Sequence, residues 1–337
     1  MILPGTSSTT LLLLILAMFC FAAWPITQKA SGRWRFELYY MDLCLGMLLT
    51  SIVLSLTLGS MGTDLSVEDN LSIAGKRQMA FGLVAGAIFT LANMLLSAAI
   101  SVAGMSVSLP ISYSVAMILG IAWSFFGKAN QSPAFLAAGT VVLGAGIAAM
   151  AMAHSSHTVS LLKTLPPSSR RRRDTAGKGI LLSCISGFVM SFFFPMSEMS
   201  RASEIGLGAY TAPAFISLAA LLTVVPLNLY FMNLPVSGEP VRFAAYFRGS
   251  AKAHILGLLG GAILCSGLTA SIVAVSATKV LPSSVTTYSL LHGAPLLAVV
   301  FGTLIWKEFG GASGRTPLLL AGAVFLFAMG LGLLATA

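Results

Sequence analysis

The sequence predicts an all-α integral membrane protein with ten transmembrane helices arranged as two inverted five-helix repeats. Three observations carry this. First, 57% of the 337 residues are apolar and 9% are charged. Soluble globular proteins carry roughly 25% charged residues, so this chain has too few for a water-facing surface. Second, ten apolar runs approach the length of about 20 residues that a spanning helix needs. Third, the chain echoes itself. Trp24-Pro25-Ile26-Thr27-Gln28 returns 170 residues later as Phe194-Pro195-Met196-Ser197-Glu198. Gly82-x-x-x-Gly86 returns as Gly257-x-x-x-Gly261, and Tyr113-Ser114 as Tyr288-Ser289, both at an offset of 175. Five spans per half is an odd number, so the halves insert with opposite topology about a pseudo-two-fold axis in the membrane plane.

The runs lie near residues 9–28, 40–60, 79–102, 107–126, 134–153, 179–200, 211–232, 254–277, 283–305 and 317–336. No Lys or Arg precedes the first, and Trp24-Pro25 follows it where a secretory signal has a small-residue cleavage site, so it is expected to be a retained span. Next comes the elbow Arg33-Trp34-Arg35-Phe36-Glu37-Leu38-Tyr39-Tyr40-Met41-Asp42. Its aromatics suit headgroup depth and its basic residues suit anionic lipid. Asp42 is expected to pair with Arg33 or Arg35, with Glu37 another partner, in a structural or gating role. Residues 103–106 separate the third and fourth runs and 278–282 the eighth and ninth, so these tight hairpins are counterparts. Small residues at Gly82 and Gly86, Thr140 and Gly144, and Gly257 and Gly261 predict close helix crossings.

The halves, 1–153 and 179–337, are joined by the link 154–178, which holds Pro166-Pro167 and the run Arg170 to Arg173. Its composition predicts a solvated loop attracted to anionic headgroups. Gly177-Lys178 makes no phosphate loop, because Arg172 and Gly179 stand where that motif needs Gly and Ser or Thr. Residues 240–248 mix aromatics with arginines and predict an interfacial helix. Taking the gaps alternately, one side carries 14 Lys and Arg and the other 5. That bias puts the richer side in the cytoplasm and both termini outside.

These features also exclude functions. The net charge of +9 sits in the gaps between runs, not on the basic face of a nucleic-acid-binding domain. Cys20, Cys44, Cys184 and Cys265 lie inside apolar runs with no paired or metal-ligand spacing, so no disulfide, metal or cofactor is expected. His154 and His157 fall in the central link and His254 at a helix start. No carboxylate pair or nucleophile–base set stands in a catalytic context, and the chain is not expected to be an enzyme.

Ionisable groups inside spans are costly and therefore functional candidates. Glu198 lies three residues past Pro195, beside a carbonyl the proline frees. It either binds a proton or pairs with Arg201 at the outer membrane edge. His292 lies near the middle of the ninth run, after Ser283, Ser284, Thr286, Thr287 and Tyr288. Hydroxyls so dense favour a cavity or another helix over lipid. His292 then either bonds solute and relays a proton or bonds neighbouring backbone. The fourth run carries Ser106, Ser108, Pro110, Ser112, Tyr113 and Ser114, and Asn93 sits inside the third. Trp24, Phe194, Tyr113 and Tyr288 offer flat faces to sugar rings or planar heterocycles. The candidate solute-binding residues are Trp24, Gln28, Asn93, Tyr113, Phe194, Tyr288 and His292, and the candidate proton-coupling residues are Glu198 and His292.

Thr27-Gln28-Lys29-Ala30-x-x-Arg33-Trp34-Arg35-Phe36-Glu37-Leu38-Tyr39-Tyr40-x-Asp42 and Thr57-Leu58-Gly59-Ser60-x-Gly62 resemble the opening of ureide permeases and their bacterial sugar-porter-like relatives. Leu91-Ala92-Asn93-Met94-Leu95 and Ala103-Gly104-Met105-Ser106-Val107 resemble a hairpin of the same group. Tyr288-x-x-Leu291-His292, Lys307-Glu308-Phe309 and Gly314-Arg315-Thr316-Pro317 resemble the end of the L-rhamnose–proton symporters. All belong to the drug/metabolite transporter superfamily. The resemblance implies uptake of a small neutral polar solute by proton symport in a bacterial inner membrane. A rhamnose-like monosaccharide is the first expectation, a ureide or nucleobase the alternative, and drug efflux a further one. A membrane sensor that binds solute without moving it is the reading from a different class. Expected partners are the solute, protons and membrane lipids, without nucleic acid; a homodimer and sodium coupling are left open.

Overall fold

The computed structural model describes all residues except Arg33, Thr63, 126–131, 164–175, Ser237 and Ala337, and leaves the side chains of 121–125, Ala176 and Ser284 aside. The expectations placed on Arg33, Lys128, Pro166-Pro167 and Arg170 to Arg173 therefore lie outside the described residues. Among those described, the chain is helical and has no strand. Nine helices among the described residues are long and apolar enough to cross a membrane, and Met105–Gly120 adds a shorter apolar one. The chain is a multi-pass membrane protein.

In order the helices are α1 (Ser7–Ala30), α2 (Phe36–Leu56), α3 (Val67–Ile73), α4 (Lys76–Ala103), α5 (Met105–Phe125), α6 (Pro133–Lys163), α7 (Ala176–Ser191), α8 (Phe193–Arg201), α9 (Thr211–Asn233), α10 (Ala251–Ser276), α11 (Ser284–His292), α12 (Ala294–Leu304) and α13 (Thr316–Ala335), with short 3-10 turns at Phe243–Arg248 and Thr278–Val280. They group into two compact units. The first comprises Met1–Met94 and Phe192–Leu291, the second Leu95–Ser191 and His292–Ala337.

Unit 1 is built on α2, which packs against α9 and α10, while α1 also lies on α10. Glycine makes the α2–α10 approach close. A Cβ at Gly46 would collide with the Leu258 carbonyl, and one at Gly261 with the Leu43 carbonyl. Gly257 faces Asp42, and Gly260 faces Tyr39 and Thr27. In lipid, apolar helices gain nothing by hiding from water, so contact of this kind must come from packing. The expected pair Gly82 and Gly86 behaves likewise, meeting Leu207 and the Ile216 backbone. The short α3 was not anticipated. Ser66 caps it by accepting from the Asp69 amide at 3.1 Å, and Asn70 exchanges bonds with Gly206 and Gly208 at 3.0 and 2.8 Å.

Unit 2 pairs α6 with α13 and α5 with α7 and α12. Here the expected crossing at Thr140 and Gly144 needs correction. A Cβ at Gly144 would meet nothing within 4 Å; Gly139 and Gly146 face Leu334 and Phe327 of α13 instead. Helical phase explains this, because Gly139 and Gly146 are seven residues apart and share a face that excludes Gly144. α6 also runs ten residues past the end expected from span length, so His154 and His157 are helical, not in a loop. His157 is buried against the Phe309 ring at 5.3 Å. At the start of α5, the Glu308 carboxylate accepts from the Met105 and Ser106 amides at 2.9 and 2.8 Å. It satisfies two of the orphan amides of that helix end. Gly104, at φ +86, leaves the space Glu308 needs.

Two expected continuous spans are broken. The sixth breaks at Phe192, between α7 and α8, and the ninth at Gly293, between α11 and α12. Each break follows the residue four before a proline, Ser191 for Pro195 and Leu291 for Pro295, whose carbonyl has lost its amide partner. Both lie at points where the chain passes from one unit to the other; the third such point, Met94–Leu95, falls inside the unbroken α4. His292 thus ends α11 beside a break, and is not mid-helix. Pro25, the sequence counterpart of Pro195, lies inside an unbroken α1.

Gly261→Ala should cost about 3 kcal/mol of stability by overpacking a backbone contact. Gly144→Ala, in open space, should be neutral or gain up to about 1 kcal/mol from helix propensity. Thermal unfolding of the purified variants in detergent, relative to wild type, reads both.

Candidate functional site

Six of the eight sequence candidates fall in unit 1: Trp24, Gln28, Asn93, Phe194, Glu198 and Tyr288. Tyr113 and His292 fall in unit 2. Trp24, Gln28 and Asn93 are buried, Tyr113, Tyr288 and His292 half-buried, and Phe194 and Glu198 exposed.

Trp24 and Asn93 are the most informative. Both have 0% exposure. The indole N–H of Trp24 has no hydrogen-bond partner. The Asn93 amide donates from Nδ2 to the Phe89 carbonyl at 3.0 Å, while its Oδ1 has none. An unmade hydrogen bond on a buried polar atom costs roughly 1–3 kcal/mol. Trp24 on α1 thus carries an unused donor and Asn93 on α4 an unused acceptor. The carbonyl of Trp24 is occupied: the Thr27 hydroxyl donates to it at 2.8 Å, and the Tyr39 phenol in turn bonds Thr27 at 2.7 Å. That chain fixes the α1 turn carrying Trp24 against α2.

Phe194 was the expected aromatic counterpart of Trp24, but its ring is 41% exposed. Its neighbour Phe193 is buried and packs on Phe89 at 5.0 Å between centroids. Phe89 lies one turn before Asn93 on α4. Proline spacing selects Phe194, whereas the buried ring of the adjacent pair is Phe193. In unit 2 the hydroxyl-rich α5 meets the expectation that its polar face is covered. Ser106 and Ser108 are fully buried with unpaired hydroxyls, and Ser112 bonds Ser186 of α7 at 2.9 Å.

A second constellation escaped the sequence reading. Asp42 was expected to pair with an arginine of its elbow. Arg35 instead forms a fork with Glu37, at 2.6 Å from Nη2 and 3.1 Å from Nε, and donates to the Glu239 carbonyl. The Asp42 carboxylate takes the phenol of Tyr246 at 2.5 Å and the imidazole Nδ1 of His254 at 2.9 Å. The correction has a simple cause. Asp42 lies more than a turn inside α2, where an arginine at the helix start does not reach, whereas α10 crosses at that level. His254 also packs edge-on against Trp34 at 5.3 Å and Tyr246 at 4.9 Å. Burial, and then the bond to Asp42, push the Tyr246 phenol above its ordinary range, so it stays a donor. The partners are 204 and 212 residues from Asp42, and no local motif signals them.

A groove of about 430 Å³ runs beside the end of α9, lined by Leu229, Met232, Asn233 and residues 240–243, none of them among the eight candidates. No cluster of three or more metal-ligating side chains occurs among the described residues.

With this geometry in view, similarity to known proteins is informative. The chain is 22% identical to ureide permease 1 of Arabidopsis thaliana over 384 aligned positions, covering 95% of each. It is 22% identical to ureide permease 2 over 93% of each, and 20% identical to ureide permease 4 over 95% of each, both from the same plant. These relatives are permeases and not enzymes. No protein-family model matches the chain. A solved crystal structure of another protein superposes with a TM-score of 0.54 and 16% identity, covering 98% of this chain and 97% of that one, so the two share a fold.

Trp24→Phe removes an N–H that bonds nothing, so the thermal midpoint should hold within about 1 kcal/mol. If the indole instead meets solute, half-saturation should rise about tenfold, the loss of roughly 1.4 kcal/mol of binding. Thermal unfolding and concentration-dependent uptake, measured on one preparation, separate the two.

Proposed function

We propose that the chain is a secondary transporter that takes up a ureide-class solute, a small neutral molecule rich in amide N–H and C=O groups. The observation that carries this is similarity to three ureide permeases along at least 93% of both chains. Sequence motifs alone put a rhamnose-like monosaccharide first; these relatives move the ureide ahead of it. The buried chemistry agrees. A ureide ring alternates donors and acceptors in one plane, and the unpaired indole N–H of Trp24 and amide oxygen of Asn93 supply one of each. The rings of Phe89 and Phe193 add an apolar surface beside Asn93.

The proposed architecture is ten crossings in two inverted five-helix halves, residues 1–153 and 179–337, joined by a basic cytoplasmic link at 154–178, with both termini outside a bacterial inner membrane. Nine spans and a shorter apolar helix support the count, and the breaks near Pro195 and Pro295 support the expectation that transporters interrupt helices near their solute. Proton symport is part of the proposal. Gln28 and Tyr288 complete the proposed solute contacts of unit 1, and Tyr113 and His292 are the candidates of unit 2, considered by itself. Glu198, exposed near the end of α8, and His292, beside the α11–α12 break, are the first residues at which proton dependence is to be tested.

Counterflow in proteoliposomes tests the substrate class. Vesicles loaded with unlabelled allantoin, uracil or L-rhamnose are given the same solute labelled. Labelled allantoin or uracil should enter transiently above equilibrium while L-rhamnose does not. Entry of L-rhamnose alone would return the monosaccharide to first place.

A further inference from the structure

We propose that Asp42, His254 and Tyr246 form a proton-binding site at the expected cytoplasmic end of unit 1, whose protonation releases the turn Phe243–Arg248 from α2. The proposal deepens the transporter reading and rests on it. The Asp42 side chain is 3% exposed and that of His254 26%. The carboxylate is thus closed off while the imidazole reaches toward solvent, an arrangement that lets a proton pass through the ring. A carboxylate within a span is costly unless partnered. Here both partners come from one stretch of chain, the turn before α10 and the first turn of α10.

The packing is built around this contact. A Cβ at Gly257 would collide with Asp42, and one at Gly249 would meet both Trp34 and His254. The two glycines lie five residues before and three after His254 and admit its ring to the carboxylate. Among the described residues, two other ionisable groups of this stretch, Tyr39 and Arg35, are engaged elsewhere. Tyr39, on the turn of α2 before Asp42, is bonded to Thr27 of α1. Arg35 is held by Glu37 and the Glu239 carbonyl. From α9 comes neutral Asn228, which donates toward the sulfur of Met41.

The proton count gives the switch. With one proton shared, carboxylate and imidazole form an ion pair, and Asp42 accepts from both Tyr246 and His254. A second proton neutralises the carboxyl. The ion pair is lost, and the Tyr246 phenol loses an anionic acceptor, the stronger kind. The contact between α2 and the turn before α10 weakens as a result. Loss of that proton to the cytoplasm restores it. No other reactant is consumed.

The test compares wild type with Asp42→Asn and His254→Gln in proteoliposomes, using the solute that shows counterflow. With the outside about one pH unit more acid, one proton per solute supports about tenfold accumulation, because each unit is worth 1.36 kcal/mol. Wild type should approach that value. Both variants should exchange labelled solute yet bring it only to equilibrium, a loss of coupling that a purely structural defect does not produce. Accumulation by either variant to the wild-type level overturns the proposal. So does a wild type that exchanges solute but ignores the pH gradient, which leaves the transporter reading intact. If wild type exchanges no solute in the panel, the transporter reading fails, and infrared difference spectra on acidification decide the proton site alone. A protonated-carboxyl band present in wild type and lost in Asp42→Asn upholds it; no such band overturns it. Should Asp42→Asn fail to fold, Tyr246→Phe and His254→Gln carry the same comparison.

Discussion

Unit 1 depends on how closely α2 and α10 approach. Gly46, Gly257, Gly260 and Gly261 face backbone or side chains of the opposing helices with no room for a methyl group. In water such a seam is a refinement on hydrophobic burial; in lipid it supplies the attraction itself, through dispersion and close dipoles. The same seam sets the level at which α10 meets α2, and so brings His254 to Asp42 and the Tyr39 phenol to Thr27. The structural contact and the candidate chemistry share one origin. A residue added to the seam therefore disturbs both.

The prolines do something different in each place. Pro25, Pro110 and Pro226 lie inside helices that continue through them. Pro195 and Pro295 follow breaks. A proline removes one hydrogen bond wherever it stands, so the freed carbonyl alone does not decide the outcome. At the ninth span Gly293 adds its own cost to a helical conformation. At both breaks the chain also leaves one compact unit for the other. A proline and a change of packing partners coincide at both breaks, whereas α4 changes units at Met94–Leu95 with no proline and stays continuous.

Much of the fold was legible because lipid imposes a crude rule: a run of about 20 apolar residues becomes a helix. Among the described residues that rule found the long helices, and it could not find what extends beyond the apolar runs, such as the last turns of α6 that carry His157, or α3 with its Ser66 cap. Small-residue spacing was read correctly for Gly82, Gly86, Gly257 and Gly261 and misread for Gly144, since spacing gives a stripe but not which neighbour it faces. Trp24 and Asn93 stood out as aromatic and polar residues inside spans, and their burial with unpaired atoms fits that prominence. Phe193 did not, because symmetry was matched on the proline. Asp42 was noticed but given partners from its own elbow, since sequence reasoning reaches along a helix and not across two hundred residues.

The Glu308 cap has a consequence for how the chain is made. The amides at the start of α5 find their acceptor 203 and 202 residues downstream. Ribosomes add about 5–20 residues per second, so that end of α5 exists for on the order of ten seconds or more before its partner is synthesised. Unpaired amides are not tolerated in hydrocarbon. The α4–α5 hairpin therefore keeps its tip among water and headgroups until Glu308 has been made, and this end of unit 2 is completed from the second half of the chain.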